Sequence, residues 1–205
     1  MANVSRVNGF RPVLHIDGSP WNGQVTRYFA SASDGTAIYQ GDLVKLSTAS
    51  DTAGQTVIPG VGAIGGVPGV AKFVAGTDSA AVGVAVGFTI NPLNLNSPQY
   101  RAASTASYVL VADAPDTVYE VQYTGTIAAT SFNKNANVTD AGGSTVTGQS
   151  GETVDGTTVA TTATLPLRIH GAIQRVDNDI TAANPKVLVY INNHQLNGGT
   201  GAAGV

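Results

Sequence analysis

Period-two alternation of apolar side chains, concentrated in a few short stretches, is the feature that most limits how this chain can fold. Residues 107–123 read SYVLVADAPDTVYEVQY, and residues 165–196 read LPLRIHGAIQRVDNDITAANPKVLVYINNHQL. Side chains on an extended backbone point to opposite faces in turn, so an apolar residue at every second position marks a strand. In the first stretch Tyr108, Leu110 and Ala112 alternate with Val109, Val111 and Asp113. Beyond Ala114-Pro115-Asp116, one face holds Thr117, Tyr119, Val121 and Tyr123, and the more polar face holds Val118, Glu120 and Gln122. Pro115 falls in the turn, where its missing N–H takes nothing from a ladder. A hairpin fits this pattern, and so does a corner between two sheets. In the second stretch Leu165, Leu167, Ile169 and Ile173 oppose Arg168, His170 and Gln174, as in a half-buried strand. Residues 186–192 are apolar on both faces, which predicts a strand near the centre of a sheet.

Shorter signals fill in the rest. Residues 24–29 carry Val25 and Tyr28-Phe29, Asp34-Gly35 is a turn signal, and DLVKLS at 42–47 alternates well. Residues 80–90 (AAVGVAVGFTI) read as a long strand with Val82, Val84, Val86 and Phe88 on one face. Gly83, Ala85 and Gly87 on the other face predict close approach of another sheet or backbone. Val57-Ile58 and residues 70–74 read as a hairpin across a glycine-rich loop. Helical signals are weak: 102–107 is too short, and 177–184 has room for one turn. The expected fold is all-β, a compact β-barrel or β-sandwich. An extended N-terminal arm is expected over residues 1–24, which hold Pro12, Pro20 and the lone Trp21. One β-rich domain follows over 25–196, with long Gly/Thr-rich loops at 48–72 and 133–164, and then a flexible tail at 197–205.

Charge narrows the function classes. Only 11% of the 205 residues are charged, against about 25% in an ordinary soluble protein. The surface must be covered largely by neutral polar side chains, which suits β-rich structural proteins packed against neighbours better than a solitary enzyme. Ten Lys and Arg without a basic run, and a net charge of −3, argue against nucleic acid as a partner. Cysteine is absent, which excludes disulfides and thiolate metal sites. The opening MANVSRVNGFRPV lacks the basic-then-apolar order of a signal peptide, and no window approaches the roughly 18 apolar residues that would span a bilayer. The expectation is a protein without a membrane partner, made in a cytoplasm or in a particle assembled there.

Candidate chemistry is sparse. Gly60, Gly62 and Gly65 spell G-x-G-x-x-G, but Gly66-Val67-Pro68-Gly69 cannot open the helix that a dinucleotide site needs, so a plain loop is expected. His15 and Asp17 share a face at i, i+2, with no third ligand nearby in sequence, and are read as arm and turn residues. His170 and His194 are isolated and read as structural. Asp113, Asp116 and Glu120 are the only local carboxylate set, which turn chemistry explains more simply than glycoside chemistry. Asp177-Asn178-Asp179 lacks the further ligands of a calcium loop and reads as a polar turn. Tyr100, Tyr108, Tyr119, Tyr123 and Tyr190 are expected in core and subunit packing rather than in a ligand platform. No catalytic residue, cofactor or metal site is expected, and the chain is read as not an enzyme.

Several motifs resemble the head decoration, or capsid cement, proteins of tailed phages. They are Asn8-Gly9-Phe10-Arg11-Pro12, Gly41-Asp42-Leu43-Val44-Lys45-Leu46, Val82-Gly83-Val84-Ala85-Val86-Gly87-Phe88, Val109-Leu110-Val111-Ala112-Asp113 with Pro115-Asp116, Tyr119-Glu120-Val121-Gln122, and Ile191-Asn192-Asn193-His194-Gln195. The resemblance spans most of the chain outside 48–80 and 125–164. It implies a β-rich protein on the exterior of an icosahedral head in the virion, bound to the major capsid protein and to copies of itself, with a trimer favoured. Phe10, Arg11 and Trp21 are expected as partner-contact anchors of the arm, because interfaces favour aromatics and Arg; for Trp21, capping the barrel is an equal alternative. Deleting 1–22 is then expected to leave a folded protein that no longer binds heads. The competing readings are a tail-tube, fibre or minor head protein, and a carbohydrate-binding β-domain.

Overall fold

Residues 113–116 turn a corner between two sheets, and the architecture follows from that corner. The structure, a computed structural model, describes residues 3–51, 65–90 and 95–205. It is an all-β fold in which a closed barrel packs against a six-stranded sheet. The barrel is built from β2 (Thr26–Ala30), β3 (Leu43–Asp51), β4 (Val67–Lys72), β5 (Gly83–Phe88) and β6 (Ser107–Ala112), in the order β2-β4-β3-β5-β6. Closure comes from one parallel pairing, Phe29 with Gly69, the other neighbours being antiparallel. The sheet takes β1 (Arg11–His15), β7 (Thr117–Gln122), β8 (Asn135–Thr139), β9 (Thr153–Ala160), β10 (Leu167–Ala172) and β11 (Lys186–Ile191), in the order β1-β7-β11-β10-β8-β9.

The first alternating stretch therefore splits. Its β6 half pairs with β2 and β5 in the barrel, and its β7 half pairs with β1 and β11 in the sheet. The turn is held by Thr117 N–H donating to the Ala114 carbonyl at 3.0 Å. Asp113 accepts from the Thr26 and Tyr28 hydroxyls, which ties the corner to β2. Buried Tyr119 reaches back across the corner and donates to the Ala112 carbonyl at 2.9 Å.

Two main cores result. Tyr28, Ile38, Val44, Val70, Val82 and Val109 fill the barrel. The larger core lies between the layers, where Leu43, Phe73, Val84 and Ala112 meet Tyr119, Val121, Leu167, Ile169, Val187, Val189 and Ile191. Complete burial of each such aliphatic side chain stabilises by about 1.5–3 kcal/mol, so most of the binding between barrel and sheet is apolar. β11 sits inside the sheet between β7 and β10, the position its two apolar faces predict. The small face of β5 is explained at Gly83, where an added Cβ would stand 2.3 Å from the Ala112 carbonyl oxygen.

Other expectations change. Residues 133–164, expected as a loop, contribute β8 and β9. Their few apolar residues suffice because Ala136, Val138 and Val154 all face the shared core and β9 lies at the sheet edge. Residues 48–72, also expected as a loop, include the end of β3 and all of β4; Val57-Ile58 lies outside the described residues. The tail is fastened rather than loose. Arg168 donates to the Ala202 and Ala203 carbonyls, Gly204 N–H donates to Thr161, and Gly204 is buried. Residues 3–24 contain no helix and are not a free arm. Residues 11–15 are the edge strand β1, paired to β7.

Candidate functional site

Residues of the N-terminal segment line two cavities. Gly9, at φ +69°, and Gly41, at φ +95°, lie against one another, and a Cβ on Gly9 would meet the Gly41 carbonyl oxygen at 2.5 Å. Only glycine permits both the conformation and the contact. Phe10 N–H then donates to the Gly41 carbonyl at 2.9 Å, and the ring enters the core between the layers. Phe10 is 1% exposed and stands edge-on to Tyr119 at 6.5 Å. Phe10, expected as a partner anchor, is thus packed in the chain's own core. Trp21 is half-buried and packs on that same core. Arg11, one residue beyond Phe10 on an alternating strand, points outward and is exposed. All three side chains line a cavity of about 280 Å³ over the seam between barrel and sheet, with Gln40 and Gln149 opposite.

Arg11 also borders a larger cleft of about 720 Å³ between residues 3–8 and the β10–β11 connection. Its floor is tied by polar contacts. Asn3 donates to the Asp179 carbonyl at 2.7 Å, Arg6 N–H donates to the Gln122 side chain at 2.8 Å, and Lys186 donates to the Arg6 carbonyl at 2.7 Å. Arg175 holds Glu120 through two hydrogen bonds of 3.3 and 3.0 Å and lies 3.3 Å from Asp177. Burial lowers the Lys186 pKa, as do the Arg11 and Arg175 charges, against the opposing pull of Glu120. Val4 and Val176, 68% and 102% exposed, border the same cleft.

A second polar cluster lies buried where the 140–152 excursion meets the barrel. Lys72 of β4 is 2.8 Å from Asp140, 3.6 Å from Asp42 and 3.7 Å from Glu152. Glu152 accepts the Leu43 N–H and Asp42 accepts the Tyr39 N–H, both at 2.8 Å. Burial pushes Glu152 well above the usual carboxyl range, and the Asp42 charge adds to this; burial raises Asp42 as well. Burial alone would lower Lys72, but Asp42, Glu152 and Asp140 together outweigh it and leave its pKa raised. Closed in this way, the cluster is a latch between the excursion and the barrel. Local sequence does not announce it, because Asp42, Lys72 and the 140–152 excursion are far apart in the chain. Fully buried Arg101 does similar work, donating to the carbonyls of Thr105, Ser31, Asp34 and Thr36.

The remaining candidates disperse. His15 lies 3.2 Å from Asp116, while Asp17 caps its own turn by accepting from Ser19 N–H and Oγ. His194 is buried, which lowers its pKa, and its Nδ1 accepts the Leu196 N–H; His170 is exposed on β10. Asp113, Asp116 and Glu120 each serve a different partner. Asn178 ties Ile173 to Lys186, and Asp179 accepts from Thr181, so 177–179 is a polar turn. Tyr108, Tyr119 and Tyr123 are buried, Tyr100 stacks on Tyr39 at 4.8 Å, and Tyr190 is half-buried. Of the G-x-G-x-x-G, all but Gly65 lies outside the described residues. Among the described residues no group of three His, Asp or Glu side chains is placed to hold a metal ion, and no helix is long and apolar enough to cross a membrane. The chain matches no family model, no curated protein and no solved structure.

Proposed function

We propose that this chain is a structural virion protein that binds the outer surface of a phage head and stabilises the capsid lattice. Its partners are the major capsid protein and copies of itself, with a trimer favoured. One observation carries the reading: the motifs that resemble decoration proteins fall on the scaffold itself. GDLVKL opens β3, VGVAVGF spans β5, VLVAD and YEVQ form the corner strands β6 and β7, and INNHQ leaves β11. A resemblance concentrated on the barrel, the corner and the sheet centre fits a mechanical role, in which a rigid body presents surface to a lattice. A weakly charged surface favours broad neutral contact over steering by long-range fields. Binding only to the assembled lattice would stabilise it by mass action, and several modest contacts per oligomer would add through effective concentration.

The test is co-sedimentation with heads of the cognate major capsid protein purified without this chain, joined to native mass measurement of the free protein. Saturable binding and a discrete oligomer are expected. A monomer that stays in the supernatant overturns the proposal, and self-assembly into stacked rings would assign the chain to a tail tube instead.

A further inference from the structure

We propose that the cleft between residues 3–8 and the β10–β11 connection is a docking groove for an extended, carboxylate-bearing segment of a partner protein. Four of the ten Lys and Arg residues border it, namely Arg6, Arg11, Arg175 and Lys186. Arg175 is engaged with Glu120 and Asp177, and Lys186 with the Arg6 carbonyl. The guanidinium groups of Arg6 and Arg11 have no hydrogen-bond or ion-pair partner among the described residues, and both residues are exposed. Against these four cations the cleft is bordered by three carboxylates, Glu120, Asp177 and Asp179, which leaves an excess of one positive charge. The rest of the molecule carries the opposite excess. Outside the cleft stand six Lys and Arg residues, and ten Asp and Glu residues once Glu120, Asp177 and Asp179 are set aside.

The occupant follows from that charge pattern. A guanidinium is a planar fork that holds a carboxylate through two parallel bonds, so two free forks call for carboxylates. Three acidic groups lie among the cations, which penalises a continuous polyanion and favours carboxylates spaced along a chain. Val4 and Val176, both exposed at the same cleft, offer apolar contact between the charged points. A volume of about 720 Å³ takes several residues of extended peptide. That the segment belongs to a capsid subunit rests on the function proposed above; the chemistry of the groove does not.

The probe is a fluorescein-labelled peptide alternating Glu with Val, followed by fluorescence anisotropy against the full chain. We expect saturable binding that weakens as salt rises. In the Arg6→Gln/Arg11→Gln double variant it should weaken by about tenfold or more, the usual scale for close charge pairs across an interface. A Lys45→Gln/Lys134→Gln variant, which removes the same charge elsewhere, should bind as the parent does. Failure of the parent to bind, equal binding of a Gln-for-Glu peptide, tighter binding of a single-stranded thymidine dodecamer, or unaltered affinity in the arginine variant overturns the groove. Head binding separates the two proposals. If the arginine variant loses the peptide but keeps the heads, the groove is not the capsid contact and the function stands. If the parent binds the peptide but ignores heads, the function falls and the groove stands.

Discussion

At the scale of single residues, the buried Lys72 cluster is where local chemistry has the largest leverage. One ammonium faces three carboxyl groups, two of them fully buried, so the cluster is most stable when it keeps a proton on the carboxyl side. Removing the cation by Lys72→Met strands those carboxyls and should cost about 3–5 kcal/mol at neutral pH, measured by urea denaturation. The signs for pH are opposite to those of an ordinary surface carboxylate. Glu152 and Asp42 have raised folded pKa values, so the folded state holds protons that the unfolded chain releases above 4.5 and 3.8. Stability therefore falls as pH rises from those values through the folded ones. Lys72, whose folded pKa is also raised, contributes stability that is complete below 10.5 and is lost only above it. Glu152→Gln keeps an acceptor for the Leu43 N–H and removes one titration. It should flatten the fall in stability as pH rises above 4.5; an unchanged slope would contradict this account. None of these partners could be read in advance, since Asp42, Lys72 and the 140–152 excursion are far apart in the chain and only the packed structure brings them together.

At the scale of elements, the β6–β7 corner joins the two layers and Phe10 is wedged beneath it. Tyr119→Phe deletes the phenol that donates to the Ala112 carbonyl and leaves that acceptor buried, for an expected loss of about 1–3 kcal/mol in chemical denaturation. Phe10→Ala opens a cavity in the core between the layers and should cost about 3–5 kcal/mol by the same measure. A loss under about 0.5 kcal/mol, typical of surface positions, would show that Phe10 lies outside the core. The alternation of residues 107–123 was legible as two strands. Which sheet each joined was not, because the choice depends on partners as distant as Thr26–Ala30 and Lys186–Ile191. Polar strands β8 and β9 were illegible for a related reason: the edge strand β9 and its neighbour β8 each bury one face on the shared core through few apolar residues.

At the scale of the whole molecule, barrel and sheet share their larger core, so they should unfold together. Fluorescence of Trp21 and far-ultraviolet circular dichroism should report one coincident transition in urea; separated midpoints would mean the layers are independent. The same sharing changes what a truncation can test. Deleting residues 1–22 removes Phe10 and the edge strand β1, so loss of head binding in that variant would follow from damage to the fold. Deleting residues 1–8 leaves both in place, removes Arg6 and Val4 from the cleft, and should reduce head binding while the circular dichroism spectrum stays native.

Alternation, turn residues and the near absence of helical periodicity were enough to determine an all-β chain with β11 at a sheet interior, because strand patterning is a local consequence of an extended backbone. Tertiary structure decided that Phe10 turns inward while Arg11 turns out, that 113–116 is a corner, and that the tail is bound. It also decided that a scatter of cations becomes one cleft. Each of those depends on contacts between residues far apart in the chain, and a period-two pattern carries no information about which distant strand will be its neighbour.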